Sequence, residues 1–348
     1  MRQPMLITVL ILLTLLASGS LLAQEVRPTA TMSAEDYLNQ GFAHYKQGEY
    51  QAAIAAYDLA LARDSSLIEG YYNRALAHYH LGDWEAAIAD YDRMIAVDPD
   101  YVLAYGGRGA AYYNLGDLDA ALADYDLALK LDPDLATVYS NRAVVYIRQD
   151  ELESALADFD QAIALEPELA QAYENRGLTY AIMGEWDTAI ADYDRAIALE
   201  ADAAGAYLGR AIAHTGQGDT ADATRDFWQW VKLIQTEIVE MEAPSWEEPV
   251  NIEMQTGTVY RIPFEAQSGQ IVTVTANAET IGTVDPLLVI LDAGDEALIA
   301  DNDSGINTDA IIRDFVPPED GTYILIVSHA TGGSEGMLEI TLSVTNDS

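Results

Sequence analysis

The sequence predicts an α-solenoid of about six helix-turn-helix units followed by an all-β domain. A unit of 34 residues recurs between residues 34 and 238, and short runs with a period of two replace it after residue 250. Repeats of this length each form one helical hairpin, which buries its apolar face against the neighbouring hairpins. The extended surface of such a stack serves binding. The units are expected to begin at Ala34, Ile68, Val102, Ala136, Ala170 and Ala204.

Each unit has the pattern of two short helices. A glycine such as Gly82 separates them, because the residue after a helix often adopts a left-handed backbone conformation. A proline such as Pro99 closes the second helix, which it cannot continue. Small and aromatic residues recur at fixed positions and predict close helix packing. The small column is Ala53, Ala87, Ala121, Ala155, Ala189 and Ala223, and the aromatic column is Tyr57, Tyr91, Tyr125, Phe159, Tyr193 and Phe227.

These columns resemble the tetratricopeptide repeat family. The resemblance covers residues 34–238 and implies a right-handed α-solenoid. Three features depart from the family's pattern. An arginine replaces the usual leucine in the first helix, Asp150 replaces the glycine between the helices of the fourth unit, and the sixth unit has no closing proline. The extended last helix, which carries Trp228 and Trp230 among polar residues, is expected to seal the open end of the solenoid.

Arginines and aspartates recur with the same period. We expect them to form a ladder of Arg–Asp pairs between stacked helices, because a partly buried guanidinium needs a carboxylate partner. The alternative is an anion-binding spine, which is disfavoured because each arginine has an aspartate to meet. The arginines are Arg74, Arg108, Arg142, Arg176 and Arg210; the aspartates are Asp90, Asp124, Asp158, Asp192 and Asp226, with Asp58, Asp92, Asp126, Asp160 and Asp194 in a second column.

The first helix of each unit is expected to line a concave groove that binds an extended peptide. Asparagine amides on this side can donate to a peptide carbonyl and accept from a peptide N–H at once. They resemble the asparagine ladder of some tetratricopeptide superhelices; alternatively, they satisfy neighbouring helix ends or turns. The basic pattern of the carboxylate clamp for chaperone tails is not matched. The predicted groove residues are Asn39, Asn73, Asn141, Asn175, Phe42, Tyr45, Tyr72, Tyr79 and Tyr113.

The N-terminus has the features of a secretory signal peptide. Arg2 precedes an apolar run over residues 5–17, and small residues follow it. Cleavage is expected after Ala23. The run is shorter than the ~20 residues that span a bilayer, but residues 21–22 could lengthen it into an uncleaved anchor. The chain contains no cysteine, which excludes disulfides, cysteine-bound metals and a lipid-modified cysteine.

Charge and histidine placement exclude further classes. The 57 acidic and 17 basic residues give a formal net charge of −40, which repels phosphate backbones, so no nucleic-acid partner is expected. Cationic partners fit this charge, and a saline habitat would produce the same bias. His44, His78 and His214 share one packing position in different units, and no nucleophile-elbow pattern flanks a serine. The chain is therefore predicted not to be an enzyme.

The C-terminal part has the alternation and turn signals of a β-sandwich, which we expect to be jelly-roll-like. It is similar to the bacterial pre-peptidase C-terminal domain in the segments 285–292, 301–305 and 320–327. That resemblance implies a secreted protein and a role in export, surface attachment or polymer binding. The predicted strands are Val259–Phe264, Ile271–Thr275, Leu287–Leu291, Ala310–Phe315, Tyr323–Val327 and Leu338–Val344.

Some members of that family bind calcium, which would be the one cofactor of this chain. Asp301, Asn302 and Asp303 lie in one acidic turn, and Asp285 is a fourth oxygen donor. Calcium prefers clustered oxygen ligands of this kind. The alternative is a solvated turn with no ion.

The expected organisation is a signal peptide at 1–23, a linker at 24–33, the solenoid at 34–241, a linker at 242–250 and the sandwich at 251–348. Such a chain is expected to be periplasmic, extracellular or on the cell surface. Its expected function is that of a scaffold or adaptor that binds a peptide or partner protein in the solenoid groove. Alternatively, the sandwich binds a carbohydrate or protein polymer and the solenoid is a spacer. Membrane contact would occur only through an uncleaved N-terminal segment.

Overall fold

The computed structural model describes residues 32–235, 237–255, 258–278, 286–301, 310–329 and 336–346. The chain divides into two compact units, Met1–Val97 and Asp98–Ser348. The first unit holds repeats 1 and 2, and the second holds repeats 3 to 6 together with the β-strands. The predicted signal peptide lies outside the described residues. Among the residues that are described, no helix is long and apolar enough to cross a membrane.

The repeats form helical hairpins, one for each unit of 34 residues. The first helix of every repeat begins at the first residue of its unit, and the second helix follows after a short turn. The described part of the chain contains α1 (Ala34–Lys46), α2 (Tyr50–Arg63), α3 (Ile68–His80), α4 (Trp84–Val97), α5 (Val102–Leu115), α6 (Leu118–Leu131), α7 (Ala136–Arg148), α8 (Leu152–Leu165), α9 (Ala170–Ile182), α10 (Trp186–Leu199), α11 (Ala204–Gln217) and α12 (Thr220–Ile234).

A left-handed residue terminates the first helix in the turn of each hairpin. Gly116 follows α5 with φ 83°, a conformation that costs glycine nothing because it has no Cβ. In repeat 4 the equivalent residue is Asp150, with φ 62°. Aspartate tolerates this region better than most side chains, so the substitution preserves the turn at a modest energetic cost.

Small residues let the two helices of a hairpin approach, and a buried aromatic ring fills the space beside them. A Cβ placed on Gly109 of α5 would lie 2.8 Å from Cε1 of Tyr125 on α6. Tyr125 and Ala121, the aromatic and small residues of that repeat, are both buried. The predicted columns therefore form the interior of the hairpins.

The predicted Arg–Asp ladder is confirmed. Nε and Nη2 of Arg142 on α7 donate to the two carboxylate oxygens of Asp158 on α8, each at 2.7 Å. Nη1 of Arg142 donates at 2.6 Å to Asp126, on α6 of the preceding repeat. Burial disfavours the lone charge of Asp158, and the guanidinium compensates it. The hydrogen bonds to Asp158 also raise the pKa of Arg142, which keeps it charged.

The same contacts recur in other repeats. The paired fork joins Arg74 to Asp90, Arg108 to Asp124, Arg176 to Asp192 and Arg210 to Asp226. The contact to the preceding repeat joins Arg74 to Asp58, Arg176 to Asp160 and Arg210 to Asp194.

Two sheets follow the helices. The five-stranded sheet has the order β1-β3-β8-β5-β6, and the four-stranded sheet has the order β2-β9-β4-β7. β1 pairs with β3 in parallel, and the other pairs are antiparallel. The strands are β1 (Glu237–Glu240), β2 (Val250–Met254), β3 (Thr258–Ala266), β4 (Gln270–Ala278), β5 (Pro286–Leu291), β6 (Ala297–Asp301), β7 (Ala310–Phe315), β8 (Gly321–His329) and β9 (Gly336–Asn346).

Strands β2 to β9 have the jelly-roll order, as expected: they alternate between the sheets except that β5 and β6 are neighbours in one sheet. The two sheets enclose one apolar core, to which β5 contributes Leu288 and Ile290 and β9 contributes Ile340. β1 is additional to this set. It directly follows the last helix, and it precedes the linker that the composition predicts at residues 242–250.

The outer face of the five-stranded sheet is covered by the last repeat. Successive side chains of a strand point to opposite faces, so Leu287, Val289 and Leu291 of β5 face away from the sandwich core. They pack in a second apolar cluster with Trp228 and Trp230 of α12. Nε1 of Trp228 also donates to the backbone carbonyl of Asp295 at 3.2 Å. The sheet therefore seals the end of the solenoid together with α12.

Removing a ladder arginine should destabilise its hairpin strongly. Arg142→Met leaves Asp158, whose side chain is 8% exposed, without its partner, and we expect a cost of about 3 kcal/mol. Asp126→Asn removes only the 61% exposed partner of the same arginine and should cost less than about 1 kcal/mol. Native-state hydrogen exchange of the α7 and α8 amides measures both costs. Equal losses for the two variants would contradict a dominant buried fork.

Candidate functional site

The four predicted groove asparagines occupy the sixth position of their first helices, on α1, α3, α7 and α9. Asn39 and Asn141 are exposed, and Asn73 and Asn175 are half-buried. The Asn175 side-chain oxygen accepts a hydrogen bond from Gln171, one turn earlier, at 3.4 Å. Within the described ranges, no hydrogen bond joins Asn141 to a helix end or turn. Its amide therefore presents a donor and an acceptor to solvent.

The predicted aromatic groove residues of repeats 1 and 2 contribute to ring clusters. Tyr45 contacts the ring of Tyr50 edge-on at 5.5 Å, and Tyr50 stacks on His80 at 4.9 Å. Tyr79 makes an edge contact with Trp84 at 4.7 Å, which fixes its ring beside the next helix. These contacts stabilise the hairpins and leave partly exposed ring surfaces.

The remaining predicted aromatics differ in exposure. Phe42 is exposed, with the Lys46 ammonium 4.7 Å from its ring centroid. Tyr72 is half-buried. Tyr113 of α5 is also half-buried, and the Arg148 guanidinium lies 5.7 Å from its ring. Cations thus cover part of the ring surface at two of the nine predicted groove residues.

An apolar column runs along the first helices at their ninth position. In the second compact unit it includes Val144 of α7, Leu178 of α9 and Ile212 of α11. Leu178 and Ile212 are 45% and 43% exposed, and Ile182, one turn beyond Leu178, is 52% exposed. The helices α7, α9 and α11 pack against one another in sequence. Exposed apolar side chains grouped in this way are typical of interaction sites.

We define the α7–α9–α11 surface as Val144, Leu178, Ile182 and Ile212 together with Asn141 and Asn175. None of the four apolar side chains of this surface is among the nine predicted groove residues. The repeat alignment carries the missed signal, since Ile212 occupies the same column as Leu178 and Phe42. Leu178, Ile182 and Ile212 are exposed, so packing does not require apolar residues there, whereas Val144 is half-buried against the core of repeat 4.

Glu174 adds a carboxylate to this surface. It is half-buried on α9, one turn before Leu178, and it fills the space left by the missing side chain of Gly205 in the first turn of α11. Burial raises the pKa of Glu174, and the negative charge of Glu200 adds to this effect. A hydrogen bond with Gln171 acts in the opposite direction. The anion of Glu174 is therefore incompletely compensated by the protein.

His214, Asp219 and Asp222 form the one group with metal-ligand spacing among the described residues, with ligand atoms within 4.8 Å of one another. Helix capping and an ion pair account for the two carboxylates. Asp219 caps α12 by accepting from the Asp222 N–H at 3.2 Å, and Asp222 pairs with Arg225.

The predicted calcium residues cannot be placed together. Asp285, Asn302 and Asp303 lie outside the described residues, and Asp301 is described only as the last backbone position of β6. Calcium at this turn stays a prediction.

The comparisons with known proteins agree with the helical fold. A family model described as Tetratricopeptide repeat matches residues 41–105 and 143–208, and one described as TPR repeat matches residues 109–150. No curated protein matches the chain. These matches identify tetratricopeptide repeats in the chain.

Two solved structures with TM-scores above 0.5 share the helical fold of the repeats. A tetratricopeptide repeat protein from Parabacteroides merdae is 24% identical with a TM-score of 0.52, and the match covers 60% of this chain and 82% of that one. PilW, a type IV pilus biogenesis factor, is 17% identical with a TM-score of 0.52, over 57% of this chain and 93% of that one. A thermophilic TPR protein from Thermus thermophilus is 26% identical with a TM-score of 0.47, over 53% and 100%.

The raised pKa of Glu174 predicts a pH effect on stability. Since the native state holds this proton more tightly than the unfolded state, stability falls as pH rises from the ordinary carboxyl pKa through the raised one. Glu174→Gln removes this loss, so the variant should melt higher than the parent at pH 7. The difference should become small toward pH 4, below the ordinary carboxyl pKa, where the proton is mostly bound in both states.

Glu153→Gln on α8 is the matched control, because this side chain is exposed. It should melt like the parent at both pH values. Thermal melting of the three proteins from pH 4 to pH 7 tests the effect, and a destabilised Glu174→Gln at pH 7 would contradict it.

Proposed function

We propose that this chain is an exported, non-enzymatic scaffold that binds an extended segment of a partner protein on the α7–α9–α11 surface. The observation that carries this proposal is the exposed apolar column beside Asn141 and Asn175. A folded protein gains nothing from keeping Leu178 and Ile212 in water, whereas covering them with a partner removes apolar area from solvent.

The asparagines supply the polar half of the recognition. An extended segment keeps its backbone N–H and C=O groups unpaired, and these groups need partners when the segment lies against a protein. Asn141 and Asn175 stand one repeat apart and can each donate to a carbonyl and accept from an N–H. Backbone recognition of this kind accepts many sequences, while the apolar column selects side chains.

We propose export on the basis of the N-terminal apolar run and the C-terminal sandwich. The apolar run at 5–17 has the length of a signal-peptide core, and the sandwich resembles a domain that accompanies secreted bacterial proteins. The net charge of −40 would keep an exported solenoid soluble. We propose a periplasmic, extracellular or surface location.

A second candidate function is binding of a carbohydrate polymer by the sandwich. A polar cavity of about 360 Å³ opens at the end of β3 and is lined by Trp246, Glu265, Gln267, Gln270 and Asp320, with Ala266 and Gly321. An indole beside carboxylates and amides is suited to a sugar, which has apolar faces and many hydroxyls. In this case the solenoid would act as a spacer.

Substitutions on the α7–α9–α11 surface should weaken binding without unfolding the chain. Peptides selected from a random displayed library on the full chain provide the ligand. Leu178→Ser with Ile212→Ser should lower affinity at least about tenfold, and Asn141→Ala with Asn175→Ala should cost about 1 kcal/mol per hydrogen bond. Titration calorimetry measures affinity, and circular dichroism checks the helices.

Leu127→Ser is the matched control, since Leu127 is 42% exposed on α6, a second helix. It should bind the peptides normally. Peptides that bind equally to all four proteins would overturn the proposed surface. A glycan ligand lost only in Trp246→Ala would favour the second candidate.

Calcium binding at the Asp301 turn is a separate proposal with its own test. Binding only to the folded chain raises the melting temperature in proportion to the logarithm of the free calcium concentration over the dissociation constant. Full-length protein in millimolar calcium should therefore melt higher than with chelator. Asp301→Asn with Asp303→Asn should abolish the rise, and magnesium should do less because it requires stricter octahedral geometry. Identical melting in all conditions would leave the turn without an ion.

A further inference from the structure

We propose that the segment bound by the α7–α9–α11 surface is cationic, extended like polyproline II, and apolar at every third position. This inference rests on the proposed function and specifies its ligand. It follows from the carboxylates near the apolar column, from the cationic side chains that already have partners within the chain, and from the spacing of the first helices.

Carboxylates lie before the N-terminal ends of the first helices, which are about 12 Å along the helix axis from the apolar column. Asp134, Glu168 and Asp202 are exposed, and each lies two positions before the first residue of α7, α9 or α11. Their side chains make no ion pair or hydrogen bond within the part of the chain described. Glu174 stands closer to the column, one turn from Leu178, and is half-buried. A cationic ligand would relieve the repulsion among these groups.

The cationic side chains of these repeats already have partners within the chain. Arg142, Arg176 and Arg210 are held by the aspartate ladder. Arg148 lies over the ring of Tyr113, Arg195 lies over the ring of Tyr173, and Arg225 pairs with Asp222. The three lysines of the chain are at residues 46, 130 and 232, outside these helices. The charge that complements the surface therefore has to come from the ligand.

The spacing of the helices selects the conformation of the ligand. Packed helices lie about 8–10 Å apart, so Val144, Leu178 and Ile212 repeat at about that interval. A polyproline II segment rises about 3.1 Å per residue with three residues per turn, so every third side chain returns to the same face after about 9 Å. A β-strand returns every second side chain after about 6.6 Å and would lose register.

The backbone of such a segment suits the asparagines. Polyproline II has no internal hydrogen bonds, so its carbonyl and N–H groups are free to meet Asn141 and Asn175. The side chains between the apolar positions point away from the column. Lysine or arginine at these positions is long enough to reach Glu174, one turn from the column, while its stem covers apolar surface.

Synthetic twelve-residue peptides test the inference on the full chain. The first has leucine at every third position with lysine and proline between; the others replace lysine with glutamine, replace lysine with glutamate, or move leucine to every second position. The basic peptide should bind about tenfold more tightly than the glutamine peptide, the ratio for one charge-assisted hydrogen bond. Its affinity should fall with salt, and the glutamate and every-second-position peptides should bind most weakly.

Two variants distinguish the contribution of the Glu174 charge from that of the apolar column. Glu174→Gln should reduce the preference for lysine over glutamine at least severalfold while melting no lower than the parent, and Glu153→Gln should leave the preference intact. Equal binding of the lysine and glutamine peptides, still sensitive to Leu178→Ser, would overturn the cationic ligand and leave the scaffold function standing. Equal binding of the two leucine spacings would overturn the polyproline II register. Failure of every peptide would overturn the inference, whereas the scaffold function is judged by the library-selected ligands.

Discussion

The bidentate contact between an arginine and a buried aspartate is the interaction on which the helical repeats depend. In each such pair the aspartate side chain is almost completely buried, where an unpaired carboxylate would be strongly unfavourable. The planar guanidinium satisfies both oxygens and still has Nη1 free for the preceding repeat. Lysine could not make the same three contacts with one fixed geometry. The pair therefore links the two helices of one hairpin and also orients the next hairpin.

The first and last repeats depart from this ladder because each lacks a neighbouring repeat on one side. Repeat 1 has Gln40 where later repeats have arginine, and Ala56 where they have the buried aspartate, so no uncompensated charge is buried there. It keeps Asp58, which accepts from Arg74. Repeat 6 keeps Asp226 for Arg210 but has Trp228 in place of the exposed aspartate. Since no seventh arginine follows, the indole docks on the β-domain instead.

Sequence periodicity was sufficient to predict the helices, because the same pattern of small, aromatic and charged residues occurs in successive units. It also found the six longer or more apolar strands, but it missed β1, β2 and β6. β1 has the sequence Glu-Ile-Val-Glu, four mostly exposed residues without alternation, which is too short and too polar to stand out. The continuous apolar run at residues 287–291 is typical of a strand buried on both faces, but it does not identify α12 as the element that covers Leu287, Val289 and Leu291. At the candidate site, the aligned positions of the repeats identified the asparagines. They could not identify the half-burial of Glu174, because it depends on Gly205, 31 positions later in the chain.

The double-sided burial of β5 bears on how the chain can be made and rearranged. Synthesis completes α12 some fifty residues before β5, so Trp228 and Trp230 have no cover while the strands between them are still being added. A nascent chain at this stage exposes the aromatic rings of Trp228 and Trp230 to solvent. Conversely, a gene fusion that transferred only the jelly roll to another protein would leave the outer apolar face of the five-stranded sheet exposed to solvent. The smallest transferable module is therefore the jelly roll together with repeat 6, and recombination breakpoints should fall upstream of Ala204.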